Sequence, residues 1–160
     1  NHIKSKIIKA SKFTGPDEND LGLVGKVDKI LISDLKKNIF NGRIPVIAPI
    51  GINKQGNYLN INADVVAGKV AESLKAEKLI LLTDIKGILN NKKLISRISA
   101  RKGRQLINRN IIREGMAPKL IAALEAKKKG VKSCHIIDGR LHHAVLLEVL
   151  TAEGVGTMIS

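Results

Sequence analysis

Residues Asn60–Leu89, NINADVVAGKVAESLKAEKLILLTDIKGIL, decide the fold. The segment runs from a polar turn through an amphipathic helix and a buried strand to a second turn at a glycine. Val65, Val70, Ala71 and Leu74 recur at helical spacing, interleaved with Lys69, Glu72 and Lys75. Leu79, Ile80, Leu81 and Leu82 then form a short unbroken apolar run. A strand buried on both faces reads this way, which points to a parallel sheet covered by helices. The run stops at Thr83 and Asp84, with Gly87 shortly after. In open α/β sheets, ligands bind just beyond the carboxyl ends of the strands. Thr83 and Asp84 therefore stand where a site belongs, and Asn60, Asn62 and Asp64 stand where a helix begins.

The 160 residues suit one domain, able to bury roughly 70% of its unfolded surface. Apolar residues make up 44% of the chain but aromatic ones only 2%, so the core must be built from Ile, Leu, Val and Ala. Stacking of bases on aromatic platforms, the usual device for single-stranded nucleic acid, is nearly excluded. No apolar run approaches the roughly 20 residues of a membrane-spanning helix. The sequence opens at Asn1 with no charged-then-apolar leader, and no signal peptide is expected. One cysteine, Cys134, cannot form an internal disulfide, which fits a reducing compartment. The net charge of +14 could attract polyanions. Its lysines are nevertheless spread along the chain, and the one tight cluster, Lys127 to Lys129, stands at an expected helix end, where cations complement the helix dipole.

Residues 1–20 are polar and lysine-rich, with a loop at Gly15, Pro16 and Asp17, and their weak pattern suggests that a segment upstream is missing. Leu21–Val27 carries glycines at 22 and 25, fitting either an edge strand or a ligand-facing one. Ser33 or Asp34 can cap a short helix ending near Asn41 and Gly42. Ile44–Gly51 reads as a strand, with a hairpin loop at Asn53–Asn57. Ala100–Asn108 is helical in composition, and Pro118 suits the first turn of an alanine-rich helix that Gly130 ends. Lys119 thus falls at a helix N-terminus, where a cation is disfavoured unless it is aimed at an anion such as phosphate. A strand at Ser133–Ile137 ends in Asp138, Gly139 and Arg140. A short helix at Ala144–Leu150 and a last strand at Met158 and Ile159 follow. No linker divides the chain.

The common catalytic patterns are absent: there is no GxxxxGK(S/T) loop, no GxGxxG after a strand, and no HExxH, CxxC or GxSxG. His2, His135, His142 and His143 show no metal-ligand spacing, and Cys134 reads as a small core residue. Asn60, Asn62 and Asp64 could simply cap a helix, but three such residues in five positions exceed what one cap needs. With Thr83, Asp84, Gly87 and Lys119 they supply amide donors, carboxylates and a lysine. That set suits phosphoryl transfer by positioning and charge neutralisation.

Seven segments carry a more specific resemblance: DLGLVGKV from Asp20, IPVIAPIG from Ile44, LNINAD from Leu59, AEKLILLTDIKGIL from Ala76, GMAPKL from Gly115, HIIDGR from His135 and EGVGTMI from Glu153. In order and spacing the chain resembles the C-terminal part of the acetylglutamate kinase family of the amino-acid kinase superfamily. The resemblance implies an α/β three-layer sandwich with a central mainly parallel sheet, of which this chain is the C-terminal part. It implies transfer of the γ-phosphoryl group of ATP, with Mg²⁺, to the side-chain carboxylate of N-acetyl-L-glutamate in arginine biosynthesis. Asn60 and Asn62 would then bind acetylglutamate, Asp64 would hold the catalytic lysines, and Lys119 would neutralise the transferring group. Thr83, Asp84 and Gly87 would line the nucleotide pocket, with Ile111, Ile112, Arg113 and Met116 near adenine and ribose. The tail resembles arginine-inhibited hexameric members, which assigns His135, Glu148 and Gly154 to a feedback arginine site. Plant and cyanobacterial members also bind a PII signalling protein. The Lys-, Ile- and Asn-rich composition suggests a plastid gene and the chloroplast stroma, a bacterial cytoplasm being the alternative.

The family's first half has no counterpart here, neither its lysine-bearing glycine loop nor its Gly-Gly turn nor its substrate arginine. Arg113-Glu114 replaces a glycine-rich variant and Leu141-His142 a frequent x-Pro. Uridylate, aspartate and glutamate 5-kinases share the general fold, but NINAD and EGVGTMI favour acetylglutamate. A basic nucleic-acid module is the rival from another class, and it would bind with a steep salt dependence. On the kinase reading the isolated 160-residue chain is inactive. A coupled ADP-release assay should therefore register no acetylglutamate-dependent turnover, and measurable turnover would overturn this expectation.

Overall fold

The computed structural model of the chain describes residues 7–15, 20–91, 93–112, 115–151 and 154–160. They form two compact units, Asn1–Leu74 and Lys75–Ser160. The boundary is a helix end, not a linker. Lys75 follows the last helical residue in a left-handed conformation with φ +53, the common way for a helix to stop. No Gly/Pro-rich run marks it.

In the first unit, β1 (Ile8–Thr14), β2 (Asp20–Ile30), β3 (Ile50–Ile52) and β4 (Tyr58–Asn60) close on themselves in the order β1-β2-β4-β3. β1 and β2 run antiparallel, as do β3 and β4, whereas β1–β3 and β2–β4 contacts are parallel. α1 (Ile32–Phe40) and α2 (Ala63–Leu74) complete the unit. Ile8, Ala10, Ile30, Leu35, Leu59, Ile61 and Val66 form its core, supplied without aromatics as the composition requires.

Four expectations change here. The polar N-terminal segment contains β1, whose apolar alternation is confined to Ile8 and Ala10 and is easily overlooked. The glycine-bearing strand β2 is not an edge, because β1 and β4 flank it. Its Gly25 permits a close approach: a Cβ there would lie 2.6 Å from Leu59 Cβ. The strand expected from Ile44 begins only at Ile50. Ahead of it Ile44 and Val46 are exposed, and Pro45 and Pro49 each remove a ladder donor. Neither Ser33 nor Asp34 caps α1; Leu31 occupies the cap position without a side-chain bond.

The second unit holds β5 (Lys78–Thr83), the hairpin β6 (Leu89–Asn90) and β7 (Lys93–Leu94), β8 (Arg97–Ile98), α3 (Ala100–Asn108), α4 (Met116–Lys128), β9 (Ser133–Asp138), α5 (Ala144–Leu150) and β10 (Gly156–Ile159). The sheet order is β5-β9-β10-β8, with β5–β9 and β10–β8 parallel and β9–β10 antiparallel. The α/β class stands, and the sheets are mixed. β5 lies at the edge, and Leu82 is 49% exposed, so it is not the doubly buried strand. β9 fills that place, with Cys134 to Asp138 buried in succession. Alternate side chains point to opposite faces. Cys134 feels Lys127 of α4, and His135 contacts Glu148 of α5. The two helices therefore cover opposite faces of β9.

Thr157 ties the sheet to the turn after β5. Its Oγ accepts from Ile88 N at 2.8 Å and donates to Ile95 O at 2.6 Å, with the residue fully buried. Thr157→Val keeps the shape and strands both backbone groups, each worth about 1–3 kcal/mol when left unsatisfied. A loss of at least about 2 kcal/mol in urea unfolding is expected; an unchanged midpoint would show that water replaces both bonds.

Candidate functional site

The parallel pair β5–β9 ends at the register Thr83↔Asp138, so two strands finish side by side. Gly139 N donates to Thr83 O at 2.8 Å and extends the pairing one step further. A Cβ on Gly139 would lie 3.0 Å from Leu82 Cδ2 and 3.2 Å from its Cβ, so a residue without one lets the two strand ends close up. Beyond them opens a cleft of about 470 Å³ lined by Leu82, Thr83, Asp84, Lys119, Gly139 and Arg140. The cleft is shallow and open to solvent.

Lys119 enters from the first turn of α4, whose cap position is Gly115. The partial positive charge of a helix start disfavours a lysine and favours an anion. The lysine's position in the cleft is therefore consistent with an anionic ligand. Thr83 Oγ lies 3.3 Å from Asp84 Oδ1 and donates to it, at the rim. Opposite them, Asp138 is only 3% exposed. Arg140 grips it with a fork: Nε donates to Oδ1 at 2.9 Å and an Nη to Oδ2 at 2.8 Å, while the Arg140 backbone N–H donates to Oδ1 at 3.0 Å. The guanidinium bonds, followed by that backbone N–H, pull the Asp138 carboxyl down to about 2.

In the first unit Asn60 ends β4 and is exposed, and Asp64 sits half-buried in the first turn of α2. Asn62 is the cap: its Oδ1 accepts from Asp64 N at 2.9 Å and Val65 N at 3.2 Å. The bland role among the three thus falls to Asn62, whose amide oxygen is committed to the helix.

Other candidates fall elsewhere. Gly87 does not line the cleft. It is buried at φ +131, and a Cβ would meet Thr157 Oγ at 2.9 Å, which accounts for a glycine on structural grounds. Ile112 is buried beside α3, its N–H donating to Leu106 O. Ile111 is half exposed and Met116 opens α4, and none of the three lines the cleft. Arg113 lies outside the described residues. Cys134 is fully buried, and burial pushes its thiol up to about 11, so it is inert as the sequence suggested.

His135, Glu148 and Gly154 do come together. His135 Nδ1 lies 2.6 Å from Glu148 Oε1 and its Nε2 lies 2.9 Å from Ser133 Oγ. Glu148 Oε2 accepts from Val155 N at 2.6 Å. Both side chains are 6% exposed, and a Cβ on Gly154 would lie 2.9 Å from Glu148 Oε2. Sequence reasoning missed Asp138 and Arg140, although the strand-exit rule that selected Thr83 and Asp84 applies equally to the end of β9. Among the described residues no group of three or more His, Cys, Asp or Glu is placed to hold a metal ion, and no helix is long and apolar enough to cross a membrane.

A chain with this cleft, and with residues 2–138 matching the amino acid kinase family, belongs to that family. It is 49% identical over 140 residues to an acetylglutamate kinase of Kosmotoga olearia, covering 88% of this chain and 50% of that protein. An acetylglutamate kinase of Aquifex aeolicus is 52% identical over 147 residues, covering 89% of this chain and 48% of its own length. The chain thus spans about half the length of the curated relatives it matches. Among solved structures, N-acetylglutamate synthase from Neisseria gonorrhoeae, complexed with coenzyme A and L-arginine, superposes with a TM-score of 0.91 at 27% identity. The match covers 98% of this chain and 37% of that one. Carbamate kinase from Giardia lamblia bound to AMP-PNP reaches 0.67 at 20% identity over 85% of this chain and 46% of its own, a likeness of fold.

The lowered Asp138 carboxyl makes a pH prediction. A depressed folded-state value means stability that is present above the ordinary 3.8 and lost as pH falls toward about 2. Carbon-detected NMR should find Asp138 titrating near 2, and Arg140→Ala should move it most of the way back toward 3.8. A wild-type midpoint near 4 would mean that the fork does not persist in solution.

Proposed function

We propose that this chain supplies the nucleotide side of an enzyme that transfers the γ-phosphoryl group of ATP to the side-chain carboxylate of N-acetyl-L-glutamate, in arginine biosynthesis. The observation that carries the reading is the cleft beyond two parallel strand ends, where Lys119 meets Thr83 and Asp84. The likeness to acetylglutamate kinases supports the choice of acceptor.

In the reaction a carboxylate oxygen attacks the γ-phosphorus, the bond to the β,γ-bridging oxygen breaks, and ADP leaves with that electron pair. The product is an acyl phosphate, and no covalent enzyme intermediate is needed. The protein's contribution is positioning and neutralisation of charge on the passing phosphoryl group. Lys119 is the residue for that charge. Asn60 serves the acceptor and Asp64 the orientation of catalytic side chains, on the strength of the NxNAD pattern.

Mg²⁺ fits as an ion brought in by the nucleotide, completing its shell with phosphate oxygens and water. The donor set agrees, since Asp84 is the carboxylate that lines the cleft and both oxygens of the neighbouring Asp138 accept from Arg140. Arginine feedback through His135, Glu148 and Gly154 belongs to the same reading. Glu148 already accepts from the Val155 N–H and pairs with His135, and its carboxylate keeps further lone pairs that a guanidinium could use. Hexamer assembly, PII binding and a chloroplast location rest on the resemblance and composition.

In a polypeptide that joins this chain to the half present in its relatives, Lys119→Ala should lower kcat by about 100-fold or more with little change in KM for ATP, because the contact strengthens in the transition state. A variant with raised KM and intact kcat would refute the role. For the arginine site, calorimetry should record arginine binding to the wild type that Glu148→Ala abolishes; equal heats from both would remove Glu148 from it.

A further inference from the structure

Asp138 and Arg140 play no part in the reaction just proposed, yet Arg140 lines the cleft and Asp138, buried behind it, takes three hydrogen bonds from it. A carboxylate at 3% exposure is costly unless its oxygens are satisfied. Three N–H donors, all from Arg140, do so within 3.0 Å. The partner is not buried: the Arg140 side chain is 65% exposed. Solvent screens the exposed guanidinium and limits what the pair adds to stability, so satisfying Asp138 alone does not account for a fork set at the cleft. Its geometric result is a guanidinium held in one orientation. Asp138 takes Nε and one Nη, and the fork's remaining N–H groups point away from that carboxylate.

The place where it is held matters. Asp138 is the register partner of Thr83, and Gly139 N is bonded to Thr83 O. Arg140 is thereby set beside the Thr83–Asp84 rim, near enough to Asp84 to feel its charge, in the same cleft as Lys119. Two cations of different kinds line the cleft. Lys119 is a point charge on a flexible stem, and Arg140 is a planar donor array whose shape matches phosphate.

We propose that Arg140, oriented by Asp138, binds the polyphosphate of the nucleotide in this cleft, with Asp138 as the positioning residue; this rests on the nucleotide reading above. Arg140 and Lys119 would then divide the phosphate chain between them. Because the guanidinium is oriented in advance, it loses little side-chain freedom on binding.

Titration calorimetry on the 160-residue chain, with ATP and with adenosine, tests this. Arg140→Gln should weaken ATP binding about tenfold or more, the usual size of a lost charge-assisted bond, and leave adenosine within about twofold. Arg140→Lys should recover part of the loss. Asp138→Asn is the sharper variant. If Asp138 were only a negative charge beside the cleft, removing it would tighten ATP. If it is the clamp, ATP binding weakens by about severalfold to tenfold and adenosine does not change. ATP affinity unchanged in Arg140→Gln, or equal losses for ATP and adenosine, would overturn the proposal, as would tighter ATP binding by Asp138→Asn. A wild-type chain that binds no ATP would instead bring down the nucleotide reading and this inference with it.

Discussion

Leu79 to Thr83 pair in parallel with Cys134 to Asp138, and everything chemical in the second unit hangs on that register. Side chains alternate along a strand, so a slip of one residue would send Asp138 to the opposite face and take Arg140 with it. The register is held from both sides: β9 is buried along nearly its whole length, α4 and α5 cover its two faces, and β10 pairs with its other edge. Gly139 then allows the two strand ends to approach closely enough for one more hydrogen bond. The cleft is what remains beyond that closure.

Around this frame, polar groups are buried only where every atom that needs a partner has one, and among the described side chains none is left without. Thr157 bridges two backbone segments, Glu148 holds His135 and Val155, and Asp138 holds Arg140. The first two are enclosed. The third has one buried member and one exposed member, the form expected when a structure must present a charge in a fixed direction. Lys119 lines the same cleft as Arg140, at a helix start that favours anions. These features suit a reaction that is driven by positioning and neutralisation and needs no nucleophile from the protein, consistent with a Cys134 thiol that is buried and inert.

Much of this was legible in the residues. The helical spacing of Val65 to Leu74, the apolar run at Leu79, Pro118 ahead of Lys119, and Gly130 as a helix stop all correspond to elements found. Each is a local pattern, set by backbone geometry within a few residues. The strand at Ile8 was overlooked because only two of its positions show alternation, and the strand at Ile44 was overextended because an apolar run does not reveal whether a partner strand exists. Likewise, the three polar residues Asn60, Asn62 and Asp64 looked alike, and only the bonds at the start of α2 separate the cap from the other two.

The sequence by itself determined the main helices and the strands at Leu79 and Ser133, the rule that a site lies beyond the strand ends, and membership of the amino acid kinase family, because periodicity, turn chemistry and motif spacing are properties of neighbouring residues. Tertiary structure decided which strand is the centre and which the edge, that Gly87 serves packing, and that Arg140, held by Asp138, joins Lys119 in one cleft. Those outcomes depend on pairing between segments far apart in the chain. Such pairing is chosen by the packing of whole faces, and no single stretch records it.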